Sequence, residues 1–324
     1  MKILVTGGAG YIGSVTVQKL REQKHDIVVY DNLSTGVREA VPQDVKFIFG
    51  DVRDRDLVAR VMKDESIEAV VHFAAKLVVP ESVEQPLEYY DVNVGGSLSL
   101  LEGARKAGVK AFVFSSTAAV YGNPPFVPVT EDVPVAPLNP YGASKAMVEQ
   151  LLRDFEKAGG CRFVSLRYFN VAGATEDLSV GQRTKNATHL VKVASEAATG
   201  KRGGMSVFGT DYGTPDGTCV RDYIHVEDLA DAHLLALHHL SRGGESAILN
   251  CGYGRGFSVK DVVATMQEVS GVSFPVTTSG CRAGDAGEIV ADSSRLQKLF
   301  GWKPRRDDLR LICRTAFDWE KKLR

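Results

Sequence analysis

The amino-acid sequence predicts an α/β fold, in which a doubly wound parallel sheet is followed by a smaller mixed C-terminal domain. Short apolar runs alternate with longer stretches of helical period up to about residue 170, and strands buried on both faces of a parallel sheet have this continuous apolar character. Beyond that point the alternation weakens, and loop-forming clusters such as "GTDYGTPDGT" at 209–218 appear. A chain of 324 residues is long enough for both parts.

The predicted elements alternate regularly over the first half of the chain. Each helical stretch between two apolar runs is long enough for the right-handed crossover that joins parallel strands. Strands are predicted at 2–6, 26–30, 45–49, 69–73, 110–114 and 162–168. Helices are predicted at 12–22, 54–64, 88–107 and 141–158, and then at 226–241, 258–270 and 308–322.

Composition and charge argue against several classes of function. Apolar residues make up 44% of the chain but form no run near the roughly 18 residues that a membrane span needs. The formal charge of −1, without a basic block, gives no electrostatic footprint for nucleic acid. Five cysteines without a C-x-x-C pair predict free thiols and no metal site. The first residues, "MKILVTGGAG", enter a strand without an export signal, so we expect a cytoplasmic protein.

A glycine-rich turn follows the first predicted strand. In "TGGAGYIG", Gly7 permits a tight turn, Gly10 lets the backbone approach a pyrophosphate, and Gly13 lets helix and strand close. Asp31 ends the next strand, where a carboxylate accepts hydrogen bonds from an adenosine ribose and repels a 2′-phosphate. The turn therefore predicts a Rossmann domain that binds NAD rather than NADP.

Other residues near the ends of the predicted strands are expected to line the NAD cleft. Asp51 and Val52 follow the third strand, where they can meet the adenine edge. The small residues of "FAAK" at the end of the fourth strand allow the cofactor to pass close to the backbone. The predicted lining comprises Tyr11, Ile12, Asn32, Asp51, Val52, Phe73, Ala74 and Ala75.

The stretch "NPYGASK" begins one of the predicted helices. Asn139 is a suitable N-cap and Pro140 a suitable first helical residue, which places Tyr141 and Lys145 one turn apart on one face. A lysine ammonium beside a phenol favours the phenolate, as does the positive nicotinamide ring of NAD⁺. We therefore expect the pKa of Tyr141 to fall toward the range of a general base.

Three hydroxyl residues end the fifth predicted strand. In "FVFSSTAAVYG", Ser115, Ser116 and Thr117 lie at the carboxyl edge, where open parallel sheets bind their ligands. A hydroxyl at this edge can share a proton with a substrate or with Tyr141. Thr117 and Ser116 therefore join Tyr141 and Lys145 as candidate catalytic residues, and Ser115 is expected beside the cofactor.

The order and spacing of the glycine turn, the Ser-Ser-Thr strand end and the Tyr-x-x-x-Lys helix resemble the extended short-chain dehydrogenase/reductase superfamily over about the first 170 residues. Over nearly its whole length the chain resembles one family within it, the UDP-glucose 4-epimerases. The stretches that carry this resemblance are "TGGAGYIGS", "YDNLSTG", "GDVRD", "HFAA", "VPES", "YYDVNVGG", "SSTAAVYG", "NPYGASK", "LRYFNVAGA", "VFGTDYGTPDGTCVRDYIHVEDLADAH" and "ADSS". The resemblance implies an NAD-dependent interconversion of UDP-glucose and UDP-galactose through a transient 4-keto sugar, as part of galactose metabolism.

The resemblance also implies roles for individual residues. Tyr141 is the base and acid at the sugar 4-hydroxyl, Lys145 lowers its pKa and holds the nicotinamide ribose, and Thr117 together with Ser116 hydrogen-bonds the same hydroxyl. The other residues that it places at the cofactor and reaction site are Asn93 and Tyr168. The UDP-sugar residues that it implies are Phe169 and Asn170 at the sugar and diphosphate, His189 and Leu190 before the nucleotide pocket, Phe208 at the uracil, Arg221 and Arg282 at the diphosphate, and Asp285 at the uridine ribose.

Two further expectations concern the arrangement of the chain. Residues 1–170 are expected to form the NAD-binding domain, with returns to it near 220–252, and residues 171–324 to form an interleaved UDP-sugar-binding domain. The apolar faces of helices 88–107 and 141–158 predict a homodimer through a four-helix contact, in line with the resembled family.

The same residues bear on several alternative functions. Ala118 and Ala119 after Thr117 supply no acid or base, which argues against a dehydratase of the same fold. A UDP-pentose or UDP-uronate 4-epimerase stays open, because it differs mainly in contacts around C5 and C6. A non-catalytic NAD-binding regulatory protein would have no need for the hydroxyl, phenol and lysine set. Ile289, four residues after Asp285, leaves open whether N-acetylated UDP-sugars are accepted.

Overall fold

The structure is a computed structural model that describes residues 1–185, 187–281 and 286–323. Strands β1 to β6 span Lys2–Thr6, Asp26–Asp31, Lys46–Phe49, Ala69–His72, Ala111–Ser115 and Arg162–Tyr168. Strands β7 to β13 span Asn170–Ala172, Met205–Phe208, Val220–His225, Ala247–Cys251, Gly256–Ser258, Val276–Ser279 and Glu288–Ile289. Helices α1 to α11 span Tyr11–Glu22, Arg55–Asp64, Val79–Glu84, Pro86–Tyr89, Gly96–Ala107, Pro140–Lys157, Leu190–Ala198, Val226–Ser241, Val259–Ser270, Ser294–Phe300 and Leu309–Lys322.

The main sheet has seven strands in the order β10-β6-β5-β4-β1-β2-β3, and every neighbouring pair is parallel. The strand order reverses between β1 and β4, which opens a crevice at the carboxyl ends of these strands. This arrangement confirms the predicted doubly wound parallel sheet. All six predicted strands belong to it, whereas β10 was not predicted.

The main sheet is covered by helices on both faces, because its strands bury both sets of side chains. On β1, Ile3 and Val5 join one core cluster with Leu20 of α1 and residues of α8. Leu4 points to the other face and packs with Leu100 of α5 and residues of α2 and α6. Each of these side chains is at most 1% exposed, and such burial stabilises the fold by about 1.5–3 kcal/mol per side chain.

The helix predicted at 88–107 is interrupted. Helix α4 ends at Tyr89, a π-helical turn spans Tyr90–Gly95, and α5 begins at Gly96. At Gly96 a Cβ atom would lie 2.5 Å from the Val52 side chain, so this glycine allows α5 to pack closely on the segment after β3. Sequence periodicity did not predict this π-helical turn, in which Asn93 is buried.

The remaining strands form smaller sheets beside the carboxyl edge of the main sheet. Strand β9 lies between β11 and β13 and also pairs with β7. Helices α7, α9 and α11 share a separate apolar core. Asp228 of α8 accepts hydrogen bonds from Tyr253 Oη at 2.7 Å and from Arg306 Nη1 at 2.9 Å, which ties the loop after β10 and the segment before α11 to α8. Within the described ranges, no helix has the length and apolar character that a bilayer crossing requires.

Candidate active site

Two cavities meet at the carboxyl edge of the main sheet. The larger is a cleft of about 590 Å³ that follows the glycine turn and the ends of β2, β3 and β4. The smaller has about 200 Å³ and lies between the end of β5, the start of α6 and the small sheet around β9. The residues that line both cavities are Thr117, Tyr141, Tyr168, Phe169 and Asn170. Thr117 and Tyr141 therefore stand where a ligand in one cavity would meet a ligand in the other.

The glycine turn forms the wall of the larger cleft. Gly7 has a φ of +70°, and a Cβ atom there would lie 2.6 Å from the backbone nitrogen of Ala74. Helix α1 begins at Tyr11 with Gly10 as its N-cap, and its first turn, Tyr-Ile-Gly-Ser, carries no acid. At Gly13 a Cβ atom would lie 2.2 Å from the carbonyl oxygen of Gly7. The turn thus brings an unshielded helix N-terminus to the cleft, where it favours an anionic group.

Asp31 ends β2 and closes the glycine turn from the other side. Its Oδ2 accepts a hydrogen bond of 2.9 Å from the backbone of Ala9, and its Oδ1 accepts one of 2.8 Å from the backbone of Leu33. Burial raises the pKa of this carboxyl group, while the two backbone donors partly oppose that change. Each carboxylate oxygen has a further lone pair, so Asp31 can also accept from ribose hydroxyls.

The end of the cleft at which adenine is expected contains a second carboxylate. Asp51 accepts a hydrogen bond of 3.0 Å from Asn32 Nδ2, and the Arg53 guanidinium bonds both of its oxygens. The hydrogen bonds from the Arg53 side chain hold the pKa of Asp51 well below its usual range, against the effect of burial. Arg53 was not predicted as a site residue, although it lies in the quoted stretch "GDVRD" and lines the cleft.

The cleft collects most of the residues predicted for the cofactor. Of those, the lining contains Gly7, Gly10, Tyr11, Ile12, Gly13, Asp31, Asn32, Asp51, Val52, Phe73, Ala74, Ala75, Tyr141, Lys145 and Tyr168. A helix N-terminus for a diphosphate, a carboxylate for a ribose and a narrow glycine-lined wall are the features that NAD requires. The residues present therefore fit NAD.

The reacting end of the site joins one helix to one strand end. The Asn139 side chain caps α6 by accepting a hydrogen bond of 2.9 Å from the backbone of Gly142. One turn separates Tyr141 from Lys145, as predicted. The Thr117 hydroxyl lies within reach of the Tyr141 phenol, and its Oγ1 accepts a hydrogen bond of 3.1 Å from the backbone of Ala119.

Burial has the largest effect on the pKa values of Tyr141 and Lys145 in the protein without its cofactor. It raises the pKa of the Tyr141 phenol, although the hydrogen bond from Thr117 opposes the change. It also lowers the pKa of the Lys145 ammonium to about 7, against the attraction of the Glu149 carboxylate. In the protein alone both groups therefore lose more hydration than their neighbours replace, whereas the expected lowering of the Tyr141 pKa concerns the site with NAD⁺ bound and stays a prediction.

Two of the predicted hydroxyls and one amide are directed away from the cavities. The Ser115 hydroxyl hydrogen-bonds the Tyr168 phenol at 2.7 Å. The Ser116 hydroxyl donates to Glu149 Oε1 at 2.7 Å and is fully buried, so its expected contact with a sugar hydroxyl is not supported. The Asn93 side chain bonds the Lys76 backbone through both of its ends, at 2.8 and 3.0 Å. In this structure the three side chains support the lining rather than form it.

Arg221 lies in β9 and lines the smaller cavity. Its guanidinium donates to the backbone oxygens of Val220 at 2.9 Å, Ala286 at 2.6 Å and Gly287 at 3.2 Å. Within the described residues these acceptors are neutral carbonyl groups, so the guanidinium keeps a charge that suits a diphosphate. Ile289 lines the same cavity and is 7% exposed.

Of the other described residues expected at the substrate, His189 lines the larger cleft, whereas Leu190 and Phe208 line neither of the two cavities. His189 lines the larger cleft, and its Nδ1 lies 2.9 Å from Gln182 Nε2; burial lowers its pKa. Leu190 begins α7 and packs against the core of α7, α9 and α11, and Phe208 ends β8 in a half-buried position. Arg282 and Asp285 lie outside the described residues.

The structure adds lining residues that sequence reasoning did not identify. They include Tyr30, Ser34, Thr35, Lys76, Glu81, Glu88, Gln182 and Thr184 in the larger cleft. Most lie on loops and short helices after the strand ends, where periodicity carries no signal. The described part of the chain contains no cluster of His, Cys, Asp and Glu side chains that could hold a metal ion.

Comparison with known proteins agrees with this site. Residues 3–252 match the NAD dependent epimerase/dehydratase family. The chain is 54% identical over 322 residues to the UDP-glucose 4-epimerase of Azospirillum brasilense, which corresponds to 99% of this chain and 92% of that relative.

Solved structures show the same relationship in three dimensions. The UDP-glucose 4-epimerase from Brucella ovis in complex with NAD is 44% identical and gives a TM-score of 0.94 over 98% of this chain and 97% of that chain. The UDP-glucose 4-epimerase from Bifidobacterium longum in complex with NAD⁺ and UDP is 37% identical and gives a TM-score of 0.95 over 100% of this chain and 99% of that chain. This chain therefore belongs to the NAD dependent epimerase/dehydratase family and, within it, to the UDP-glucose 4-epimerases.

Proposed function

We propose that this chain is an isomerase that interconverts UDP-glucose and UDP-galactose by NAD-dependent 4-epimerisation. The observation that carries the proposal is the position of Tyr141 and Thr117 at the junction of the two cavities. The cleft on one side has the features that NAD requires. The cavity on the other side is lined by Arg221, whose charge suits the diphosphate of a UDP-sugar.

The residues at the junction divide the proton chemistry among them. Tyr141 accepts the proton of the sugar 4-hydroxyl and later returns it, while the Thr117 hydroxyl hydrogen-bonds the same oxygen. Lys145 places its ammonium behind the strand end and, with the positive charge of the cofactor, favours the phenolate form of Tyr141. NAD, when bound, would accept a hydride from the sugar and later return it, so that the sugar passes through a 4-keto form.

The smaller cavity explains how both faces of one sugar can react. Arg221 is proposed to hold the diphosphate, while the wall near Tyr141 consists largely of small or apolar residues such as Ala118, Ala119 and Ile289. A sugar that is gripped by its nucleotide and only lightly by its ring can turn and accept the hydride on its other face. Ala118 and Ala119 also leave that wall without an acid or base for loss of water, which argues against a dehydratase.

The remaining features of the proposal concern the organisation of the protein. The NAD-binding domain comprises residues 1–170 with returns near 220–252, and residues 171–324 provide the UDP-sugar-binding domain. A homodimer is supported by exposed apolar side chains on neighbouring helices α3, α4 and α6, which include Leu87 at 81% exposure.

The five cysteines are free, which fits a protein of the reducing cytoplasm. The proposed reaction belongs to galactose metabolism.

A panel of UDP-sugars tests the proposed reaction. The purified protein with NAD is expected to convert UDP-galactose to UDP-glucose and the reverse without added reductant, as followed by proton NMR or by a coupled assay. UDP-arabinose, UDP-xylose and UDP-glucuronate serve as comparison substrates for the pentose and uronate alternatives. Exchange confined to those sugars, or release of a dehydrated product, would overturn the assignment.

A further inference from the structure

Glu149 lies on the same stripe of α6 as the proposed catalytic pair. Tyr141, Lys145 and Glu149 follow one another at intervals of four residues, so their side chains lie along one face of the helix. Glu149 is 3% exposed and sits behind the site rather than in the lining of either cavity. A carboxylate so deeply buried requires several hydrogen-bond donors.

The carboxylate of Glu149 has four such donors. The Arg167 guanidinium bonds it through Nε at 2.9 Å and Nη2 at 2.6 Å, and the Arg167 side chain is 2% exposed. The third Arg167 nitrogen donates to the Tyr121 phenol at 2.9 Å. The hydroxyls of Ser116 and Ser165 approach Glu149 Oε1 at 2.7 and 3.2 Å. The ion pair with Arg167 neutralises the carboxylate, and the two serines are additional partners.

One of these serines lies between the two residues that contact the catalytic pair. The backbone oxygen of Ser115 accepts the hydrogen bond from Lys145 Nζ at 2.9 Å. The Thr117 side chain lies beside the Tyr141 phenol where the two cavities meet. Ser116 is the residue between them, and its hydroxyl is bound by Glu149. Three consecutive strand-end residues are thus joined to three successive turns of one helix.

We propose that Glu149 is a positioning residue for the epimerisation: through Ser116 it fixes the strand end at which Ser115 receives Lys145 and Thr117 receives Tyr141. The role rests on the proposed function, because the pair that is positioned acts on the sugar 4-hydroxyl. Ser115 is the last residue of β5, and beyond it the Ser116 nitrogen bonds the Leu166 oxygen of the neighbouring strand. The Glu149 contact supplies a second tether, from the helix that carries the catalytic side chains.

A matched pair of variants separates positioning from general stability. Ser116→Ala and Ser165→Ala each remove one hydroxyl from the same carboxylate oxygen, and both positions are fully buried. Only Ser116 adjoins the catalytic strand end, whereas Ser165 lies within β6. Ser116→Ala is expected to lower kcat about tenfold with KM for UDP-galactose changed less than about twofold, while Ser165→Ala keeps kcat within about twofold of the wild type. The Tm is expected to fall similarly in both.

Equal kcat values in the two variants would overturn the proposal, because they would assign Glu149 a purely structural role. Should Ser116→Ala not fold, Ser116→Cys keeps the size of the side chain with a weaker donor and is expected to lower kcat by a smaller factor. A crystal structure of the variant gives a readout that does not depend on activity. Displacement of the Thr117 hydroxyl from Tyr141 supports the proposal, and an unchanged strand end refutes it. A wild type without epimerase activity would instead refute the proposed function.

Discussion

The ammonium of Lys145 donates a hydrogen bond of 2.9 Å to the backbone oxygen of Ser115. The acceptor is neutral, and the ammonium also lies 4.8 Å from the ring centroid of Phe114. Burial therefore outweighs the attraction of Glu149 and lowers the pKa of Lys145 to about 7. An unfolded chain gives a lysine a pKa of about 10.4. The charge of Lys145 consequently links folding to pH.

Replacing Lys145 by Met is expected to stabilise the fold at neutral and lower pH. The folded-state pKa lies below the unfolded-state value, so the free energy of unfolding of the wild type rises with pH between about 7 and about 10. Below that window the wild type carries the whole penalty of burying the ammonium. The Tm of Lys145→Met should exceed that of the wild type by several degrees at about pH 6, and the difference should vanish near pH 10.

Thermal unfolding followed by circular dichroism measures this difference. Lys157→Met is the control, because Lys157 is exposed at the end of the same helix. It is expected to show no Tm difference that depends on pH. A constant difference between Lys145→Met and the wild type at every pH would contradict the link.

Replacing Tyr141 by Phe is expected to remove the proton acceptor without disturbing the fold. The loss of a positioned general base lowers kcat by about 10² to 10⁴-fold, and the Tm should stay within a few degrees of the wild type. Initial rates with UDP-galactose test this, with Tyr90→Phe as a control on the π-helical turn. Near-normal kcat in Tyr141→Phe would disprove the assignment of the base.

Replacing Gly10 by Ala is expected to weaken NAD binding specifically. The φ of Gly10 is −77°, which alanine adopts freely, but the added methyl group would meet the Gly7 oxygen at 3.2 Å and occupy the wall of the cleft. The Kd for NAD should rise about tenfold or more in calorimetry, at an unchanged Tm. At Gly203 a Cβ atom meets nothing within 4 Å, so Gly203→Ala should bind NAD like the wild type. Equal affinities in the two variants would count against the proposed diphosphate site.

Replacing Ile289 by Ala is expected to change the substrate range. Ile289 lines the smaller cavity, and its truncation makes room for a larger substituent on the sugar. The ratio of kcat/KM for UDP-N-acetylglucosamine over UDP-glucose should rise about tenfold. Val79→Ala is the comparison, because Val79 lines the same cavity from α3. An equal rise in both variants would show that cavity volume alone, rather than position 289, sets the range.

Replacing Leu87 by Glu is expected to separate the proposed homodimer. Leu87 is 81% exposed, and Val83 and Met147 on the neighbouring helices are 56% and 47% exposed. A buried carboxylate without a partner destabilises such an apolar contact strongly. Light scattering should report a mass near 35.1 kDa for this variant and twice that mass for the wild type. Leu299→Glu, at 46% exposure on α10, should remain dimeric; a monomeric wild type would refute the homodimer.

The elements that were predicted correctly are those that depend on local sequence. The apolar run of β1 and the Asn139 cap of α6 act over a few residues, and both appear where they were expected. The π-helical turn after Tyr89 was missed, because it follows from the fit of Gly96 against Val52 in another part of the chain. The strand β10 was missed because its short run resembles any buried segment.

Local sequence alone specifies the glycine turn after β1, the acid at the end of β2 and the spacing of Tyr141 and Lys145, since turns, strand ends and helix faces follow from local periodicity. The tertiary structure controls how the three strand-end hydroxyls are used. Ser116 turns to the buried Glu149 while Thr117 reaches Tyr141, because successive residues of an extended chain point in opposite directions. It also set the pKa directions of the catalytic pair, since desolvation depends on the neighbours that folding brings together.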